Sequence, residues 1–559
     1  MKIAENRVVV FLLVFFLLLS SNIAASVVLR DSVISWQHHR YTTNTDYSIK
    51  TMTTVDTDIV GQQFAGKVIE NDLFRIVLVP EFGGRVLSYF YKPTGHEYLY
   101  QSPCGTPYGI SQGNFYYNWL MVYGGIFPTF PEPEHGKTWL KSWQYTVIKS
   151  TQDTVIVKMS MTDNTEYTGH PGQFNNGITG IVCDVEVGVY AGQAGFSFNV
   201  KLTNPATQTK KYEYWTCTTL APGSVPGNTF TPVNSEMIVP MTTYEAAWST
   251  NNWIGKYGGI FDFSKINMLS EWPEMGIAYA TTRSDDYWGV INHDKEEGFF
   301  RIANRNITKG LKLWTWGRDA ANANKFNVSN GGEDDYIELW GGTVMHFFDD
   351  AIFNASSQLN WSEYFYPTVG LTGVTAMNNH GGAFMDLDTN QGNGVYNLKL
   401  NFFLTNPGKN YSVDFYSSQD NTTPLFTENL VSDSKGNFIQ KPLPTSVFIN
   451  GVNNLKANLK NDKGEIILTS SKQFTLSNTA VISPADNSIV RVINKTSHQL
   501  EFGIIDGLNG EVTVFSMEGK MVYTGSLFDG KQIEISKSGI YIIKMVLNNK
   551  MITMKRVLY

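Results

Sequence analysis

The chain has 559 residues, 13% of them aromatic, and a formal net charge of −7. At about 150 residues per domain it is long enough for three or so units, each able to bury a core of its own. The weak acidic balance excludes the basic footprint that a nucleic acid demands, and 3 cysteines with 9 scattered histidines supply neither a disulfide framework nor zinc-ligand spacing.

At the N-terminus, Lys2 and Arg7 accompany an unbroken apolar run over residues 8–19, and small residues follow at Ser20, Ser21, Ala24, Ala25 and Ser26. The run falls short of the ~20 apolar residues that cross a bilayer, so it predicts a signal peptide over residues 1–25 cut near Ala25, with an uncleaved anchor as the alternative. No later stretch is apolar enough to predict a transmembrane segment. Residues 26–65, rich in Thr and Asp, are expected to be a peripheral segment.

From there on, amphipathic helical patterns are almost absent. Short alternating runs recur at 74–79, 154–159, 196–202, 396–403 and 511–515, punctuated by Gly, Asn, Asp and Pro. This predicts an all-β chain built of sandwiches. Cys104, Cys183 and Cys217 allow at most one disulfide and read as small buried hydrophobes.

Residues 66–373 are dense in aromatics and glycine. Glu70-Asn71-Asp72-Leu73-Phe74 leads into a strand ending at Pro80, then Gly83-Gly84-Arg85, then Lys92-Pro93-Thr94-Gly95-His96-Glu97. Gly124-Gly125-Ile126, Pro131-Glu132-Pro133-Glu134-His135-Gly136, Leu202-Thr203-Asn204-Pro205 before Tyr214-Trp215, and Leu313-Trp314-Thr315-Trp316-Gly317 follow in order. The last segment, Tyr336-Ile337-Glu338-Leu339-Trp340, alternates strictly. As a strand it puts Ile337 and Leu339 on one face and Tyr336, Glu338 and Trp340 on the other. An acid flanked by flat rings suits a sugar, because the rings cover apolar C–H faces while the carboxylate accepts hydroxyl hydrogen bonds or moves protons. Gly341 and Gly342 then allow a sharp turn or close approach to a ligand. The competing reading is a half-buried strand with one solvated Glu.

Taken together, these segments resemble the galactose-mutarotase-like superfamily, and within it a mutarotase-like domain family of exported bacterial proteins. The resemblance implies a large β-supersandwich with one concave, ligand-binding face. It also implies that Glu338 stands where the catalytic Glu is expected, that His135 stands where the early His-Gly motif binds or polarises the sugar, and that Arg85 in the Gly-Gly-Arg turn binds sugar hydroxyls or a carboxylate. Trp316, Tyr336, Trp340 and Tyr214 are the further expected substrate-binding residues. The second histidine of mutarotases has no counterpart, since no His lies between His170 and His293. Tyr214 and His293 are then the candidates for the missing proton, and glycan hydrolysis, elimination or plain binding compete with mutarotation. No cofactor is expected. Asp334-Asp335 with backbone oxygens offers calcium the ligands it takes, a polar loop being the plainer reading.

Residues 374–476 carry strands such as 396–402, 411–415 and 454–459, contain no Trp, and are expected to form an immunoglobulin-like accessory sandwich. Residues 477–486, rich in Ser, Asn, Ala and Pro, predict a linker. In residues 487–559 a strand over 512–515, a Met517-Glu518-Gly519-Lys520 turn, Gly539-Ile540-Tyr541 and a Lys555-Arg556 ending resemble the C-terminal sorting domain of the type IX secretion system of Bacteroidetes, itself a small β-sandwich. That resemblance implies export across the outer membrane, to release or surface attachment. The expected partners are a polysaccharide or oligosaccharide and the type IX machinery, with no nucleic acid. The expected function is that of a secreted carbohydrate-active protein that cleaves a glycan with a Glu/His acid–base pair, against a non-catalytic glycan-binding surface protein or an aldose 1-epimerase-like isomerase.

Overall fold

The computed structural model describes residues 25–45, 49–53, 57–102, 104–105, 124–131, 141–164, 177–227, 229–247, 253–318, 335, 337–389, 395–417, 422–449, 451–476, 490–496, 498–504, 510–537, 539–547 and 550–558. Within them the chain is all-β, with helix confined to short 3-10 turns such as Phe263–Lys265 and Leu269–Glu271. No helix of the described residues is long and apolar enough to cross a membrane.

Two large sheets form the first sandwich. The first has 13 strands among the described residues, and its centre runs in the order Gly276–Ala280, Gly310–Thr315, Ile337–Gly342, Trp215–Ser224, His96–Leu99, Arg85–Tyr91 and Phe74–Val79. Ile126–Thr129 pairs with both Trp215–Ser224 and Arg85–Tyr91. The second sheet has 8 strands, among them Val182–Tyr190, Phe196–Asn204, Ser357–Val369 and Glu297–Ala303. Alternating side chains of both sheets meet in one core, as period-two strands require. Aromatic rings fill the gap: Phe74 stacks on Tyr89 within the first sheet at 4.8 Å, Phe196 stacks on Phe365 within the second at 5.4 Å, and Tyr89 meets Phe299 across it at 4.9 Å.

The segment expected to be peripheral belongs to the large sheet. Val28–His39 pairs in full antiparallel register with Ile59–Glu70, from Val28 opposite Glu70 to His39 opposite Ile59. Alternation again explains it, since Trp36 and Phe64 share a face with Val79, Phe82 and Leu87 in a small apolar cluster apart from the sandwich core.

The core also holds an ion pair. Arg301 donates from Nε to Glu363 Oε2 at 2.5 Å, with neither side chain exposed, and Thr216 and Trp361 donate to Glu363 Oε1 at 2.9 and 2.8 Å.

Ala376–Asn378, Gly381–Asp388, Val395–Leu404 and Asn437–Pro444 form one sheet of a second sandwich, closed by Phe426–Val431, Asn410–Tyr416, Gly451–Lys460 and Ile466–Leu476. It is joined to the first by more than a linker. Leu371, Met377 and Phe403 lie in the first sandwich's core, Ala194 N donates to Thr405 O at 2.8 Å, and Tyr91 Oη donates to Ser434 O at 2.7 Å. The last strands make a 3-stranded and a 4-stranded sheet over a core containing Leu500, Phe502, Val512, Val514 and Ile543, with Gly519 at φ 78° in the turn between Gly510–Ser516 and Met521–Leu527. All three cysteines are buried.

Candidate functional site

The strand Ile337–Gly342 sorts its side chains by parity. Ile337 and Leu339 enter the sandwich core, while Trp340 joins a second aromatic cluster on the outer face of the 13-stranded sheet. Glu338 shares that outer face by the same alternation. Register then fixes its neighbours. Glu338 stands opposite Trp314 on one side and Thr219 on the other. The next row reads Glu245, Tyr279, Lys312, Trp340, Cys217 and Phe127, each opposite the one before it on the adjoining strand.

Trp340 joins the charges of this face. Its Nε1 donates to Glu338 Oε2 at 2.7 Å. Lys312 Nζ sits 4.0 Å from the centre of the Trp340 ring and 4.4 Å from that of Phe347, both cation–π distances. Phe347 meets Trp340 edge-on at 5.5 Å and Trp215 at 4.9 Å. In the Glu338 row, Trp314 packs edge-on against Trp316 at 4.3 Å and is the half-buried member of the pair. Glu338 and Lys312 are each only 3% exposed. Burial of two ionised side chains is expensive unless each is solvated by protein groups, so this is no solvated strand edge. Burial also pushes the Cys217 thiol well up, the Glu338 carboxylate adding to the effect while Lys312 and Arg85 oppose it.

The turn at Gly124-Gly125 is tied to the same rows. Gly125 N donates to Thr219 Oγ1 at 2.6 Å, and Thr219 N donates to Gly125 O at 3.0 Å. Both glycines take positive φ, 93° and 100°, and a Cβ at Gly124 would stand 1.8 Å from Tyr100 O, so only glycine fits. Arg85 fastens the turn from below. Its Nη1 donates to Gly124 O and its Nε to Phe82 O, both at 2.9 Å, with the guanidinium between the rings of Phe82 and Phe127 at 4.8 and 4.6 Å.

At the other end of the row an imidazole is held by two acids. His346 Nε2 lies 3.2 Å from Glu245 Oε2, its Nδ1 lies 3.0 Å from Asp349 Oδ2, and its ring meets Tyr279 edge-on at 4.9 Å.

Of the residues expected from sequence, Glu338, Trp340 and Trp316 come together on this face. Arg85 does not act as an exposed clamp: it is fully buried and holds backbone carbonyls. Tyr214 is corrected, because it lies on the opposite side in the sandwich core, packed edge-on against Trp361 at 4.9 Å, with its neighbour Trp215 turned outward. His293, the other candidate for the missing proton, pairs with Glu236 at 2.9 Å on the second sheet. Gly341 and Gly342 make room for side chains of the protein itself: a Cβ would stand 2.8 Å from Arg301 Cζ at Gly341 and 2.3 Å from the Trp215 indole at Gly342. His135, Tyr336 and Asp334 lie outside the described residues. Asp335 accepts from Arg318 Nη1 at 2.7 Å, and among the described residues no group of three or more His, Cys, Asp or Glu is disposed to hold a metal.

Lys312, Tyr279, Glu245 and His346 were not foreseen. Lys312 had a signal, since Gly310-Leu311-Lys312-Leu313-Trp314-Thr315 alternates and puts a lysine on the face that carries Trp314. The others depend on which strands become neighbours.

Residues 43–368 match the sequence family described as a domain of unknown function (DUF5107). No curated protein matches the chain. Among solved structures, a TPR-domain containing protein from Parabacteroides distasonis aligns with 62% of this chain at 18% identity and a TM-score of 0.49, over 56% of its own length. The chain thus spans little more than half of that protein. The Slr1438 protein from Synechocystis aligns over 55% of this chain and 96% of its own, at 16% identity and a TM-score of 0.40. A galactose mutarotase-like protein from Clostridium acetobutylicum aligns over 54% of this chain and 95% of its own, at 11% identity and a TM-score of 0.38. At these distances the likenesses assign no reaction.

Proposed function

The chain belongs to the family described as a domain of unknown function (DUF5107), and from that premise we propose that the outer face around Glu338 binds a saccharide and that Glu338 moves a proton on it. The observation that carries this reading is the buried Glu338 carboxylate, oriented by the Trp340 N–H at 2.7 Å, in the same row as the half-buried Trp314. An indole presents the flat apolar surface that a pyranose C–H face covers. A carboxylate fixed by a donor in a site of low water content is poised for general acid–base work, because its orientation is already set when the sugar arrives.

The reaction proposed is cleavage of a polysaccharide or oligosaccharide, by hydrolysis or by elimination. Export fits such a substrate, and the N-terminal apolar run and the C-terminal segment that resembles a type IX sorting domain support release or display outside the cell. Glu338→Gln preserves the shape of the side chain and its acceptor for Trp340. Activity of the full chain on plant and algal polysaccharides, read as reducing ends and as absorbance of unsaturated uronates, should fall by roughly 10²–10⁴-fold in that variant while the melting temperature stays near wild type. Wild-type rates in the variant would remove Glu338 from the mechanism.

A second reading, glycan binding without catalysis, is favoured by one feature. The register partners of Glu338, Trp314 and Thr219, and its neighbours Trp340, Lys312 and Cys217 in the next row include neither a second carboxylate nor an imidazole. Saccharide binding with no product release from any polysaccharide would decide for the binding protein.

A further inference from the structure

Among the described residues Lys312 is a cation without an anion. It is 3% exposed, on a strand in the middle of the large sheet, and its ammonium faces the rings of Trp340 and Phe347. Among the described residues no carboxylate comes within ion-pair distance of it. Glu338 stands one row away, diagonal to Lys312 across the ladder, and its Oε2 takes the indole N–H. Aromatic faces attract a cation but do not replace the water an ammonium gives up on burial. Arg301 and Arg318 of the first sandwich are differently placed, with Glu363 and Asp335 as their anions, and Arg85 is held by the carbonyls of Phe82 and Gly124. A methionine would fill the same space on Trp340 without any charge to desolvate.

We propose that the saccharide of this site is acidic, and that Lys312 receives the anionic substituent, a uronate carboxylate in the first instance, while the sugar ring lies against Trp314. This rests on the saccharide reading of the face and specifies its substrate class. The geometry is suitable: the ammonium and the Glu338 carboxylate flank one indole, so the acidic group of the sugar is drawn to the lysine and its hydroxyls or glycosidic oxygen to the glutamate. Lysine binds carboxylate as a compact point charge without a fixed fork, which tolerates sugars that differ in ring geometry.

The test is isothermal titration of the full chain with short oligosaccharides of polygalacturonate, polymannuronate and glucuronan, each against its carboxyl-reduced counterpart, and with a 6-O-sulfated neutral oligosaccharide as a third arm. The expected result is that acidic sugars bind about tenfold or more tightly than their reduced partners, as a charge-assisted contact in a dry site provides. Lys312→Met should erase that preference, and Lys312→Arg should keep it. Melting curves of both variants show that they are folded. Preference for the sulfated arm alone would change the substituent from uronate to sulfate and overturn the uronate assignment. Equal binding of acidic and reduced sugars would overturn the inference and leave the saccharide site standing. A preference that survives Lys312→Met would take the role from Lys312. Binding of no sugar at all would overturn the saccharide reading itself, and the inference with it.

Discussion

Glu338 and Lys312 hold one indole between them. Trp340 gives its N–H to the carboxylate at 2.7 Å and its ring face to the ammonium at 4.0 Å. Opposite charges thus sit at the edge and on the face of a single side chain, one row apart in the ladder, and the position of each depends on that ring.

Trp340→Phe should therefore disturb both. Phenylalanine keeps a ring for Lys312 but removes the donor to a buried carboxylate. We expect a loss of about 1–3 kcal/mol in unfolding free energy from the lost bond and the space left by the indole. Any glycan turnover should fall at least as far as stability alone would not explain. Urea unfolding and turnover at a temperature where the variant is fully folded separate the two effects.

Gly342→Ala should push on Trp215. The added methyl would lie 2.3 Å from the indole, and Trp215 itself packs against Phe347. Overpacking of this kind costs about 1–3 kcal/mol. A lower denaturation midpoint with a changed tryptophan emission spectrum is the expected result, and an unchanged spectrum would show that Trp215 has room to move.

The Arg301–Glu363 pair makes an asymmetric prediction. Glu363→Ala strands a guanidinium that has no exposed surface, and should cost about 3–5 kcal/mol. Replacing both partners by Met and Leu should recover most of that loss, because the desolvation of both ions disappears with them. Equilibrium unfolding of the single and double variants measures the difference.

Glu97 makes a prediction about pH. It is 3% exposed and accepts from Ser88 Oγ at 2.6 Å and Tyr89 N at 2.7 Å, yet burial outweighs those bonds and holds its carboxyl above the usual range. A folded pKa raised above the unfolded one favours folding while the group is protonated, below about pH 4.3, and that contribution is lost as pH rises through the folded value. Glu97→Gln cannot ionise. The stability of the wild type relative to this variant should therefore decline from pH 4 towards neutrality, as read from guanidinium midpoints. A difference that is flat across this range would show that Glu97 keeps an ordinary pKa.

Parity was the most legible property of the chain. The alternation of Ile337 to Trp340 was enough to separate core from outer face, and the same pattern in Gly310–Thr315 carried Lys312. Parity fails where a strand begins late. Tyr214 and Trp215 both flank the start of Trp215–Ser224, and which of them turned outward depended on where pairing with Ile337–Gly342 began. Arg85 shows a different limit. Its partner carbonyl at Gly124 is 39 residues further on, and nothing in the local Gly-Gly-Arg sequence distinguishes a guanidinium that fastens a turn from one that meets a ligand. The two-sheet class was readable from short alternating runs. The order of strands was not, because it is set by contacts between segments far apart in the chain.

The first two sandwiches share residues rather than merely abut. Phe403 of the second belongs to the core of the first, meets Tyr91 edge-on at 6.2 Å, and lies two residues before Thr405, whose carbonyl receives Ala194 N. A recombinant fragment ending at Gly373 would lay bare that apolar floor and should aggregate. The intact pair should melt as one cooperative unit, so a single calorimetric peak covers both, and the second sandwich serves as a wall of the first rather than as a tethered passenger.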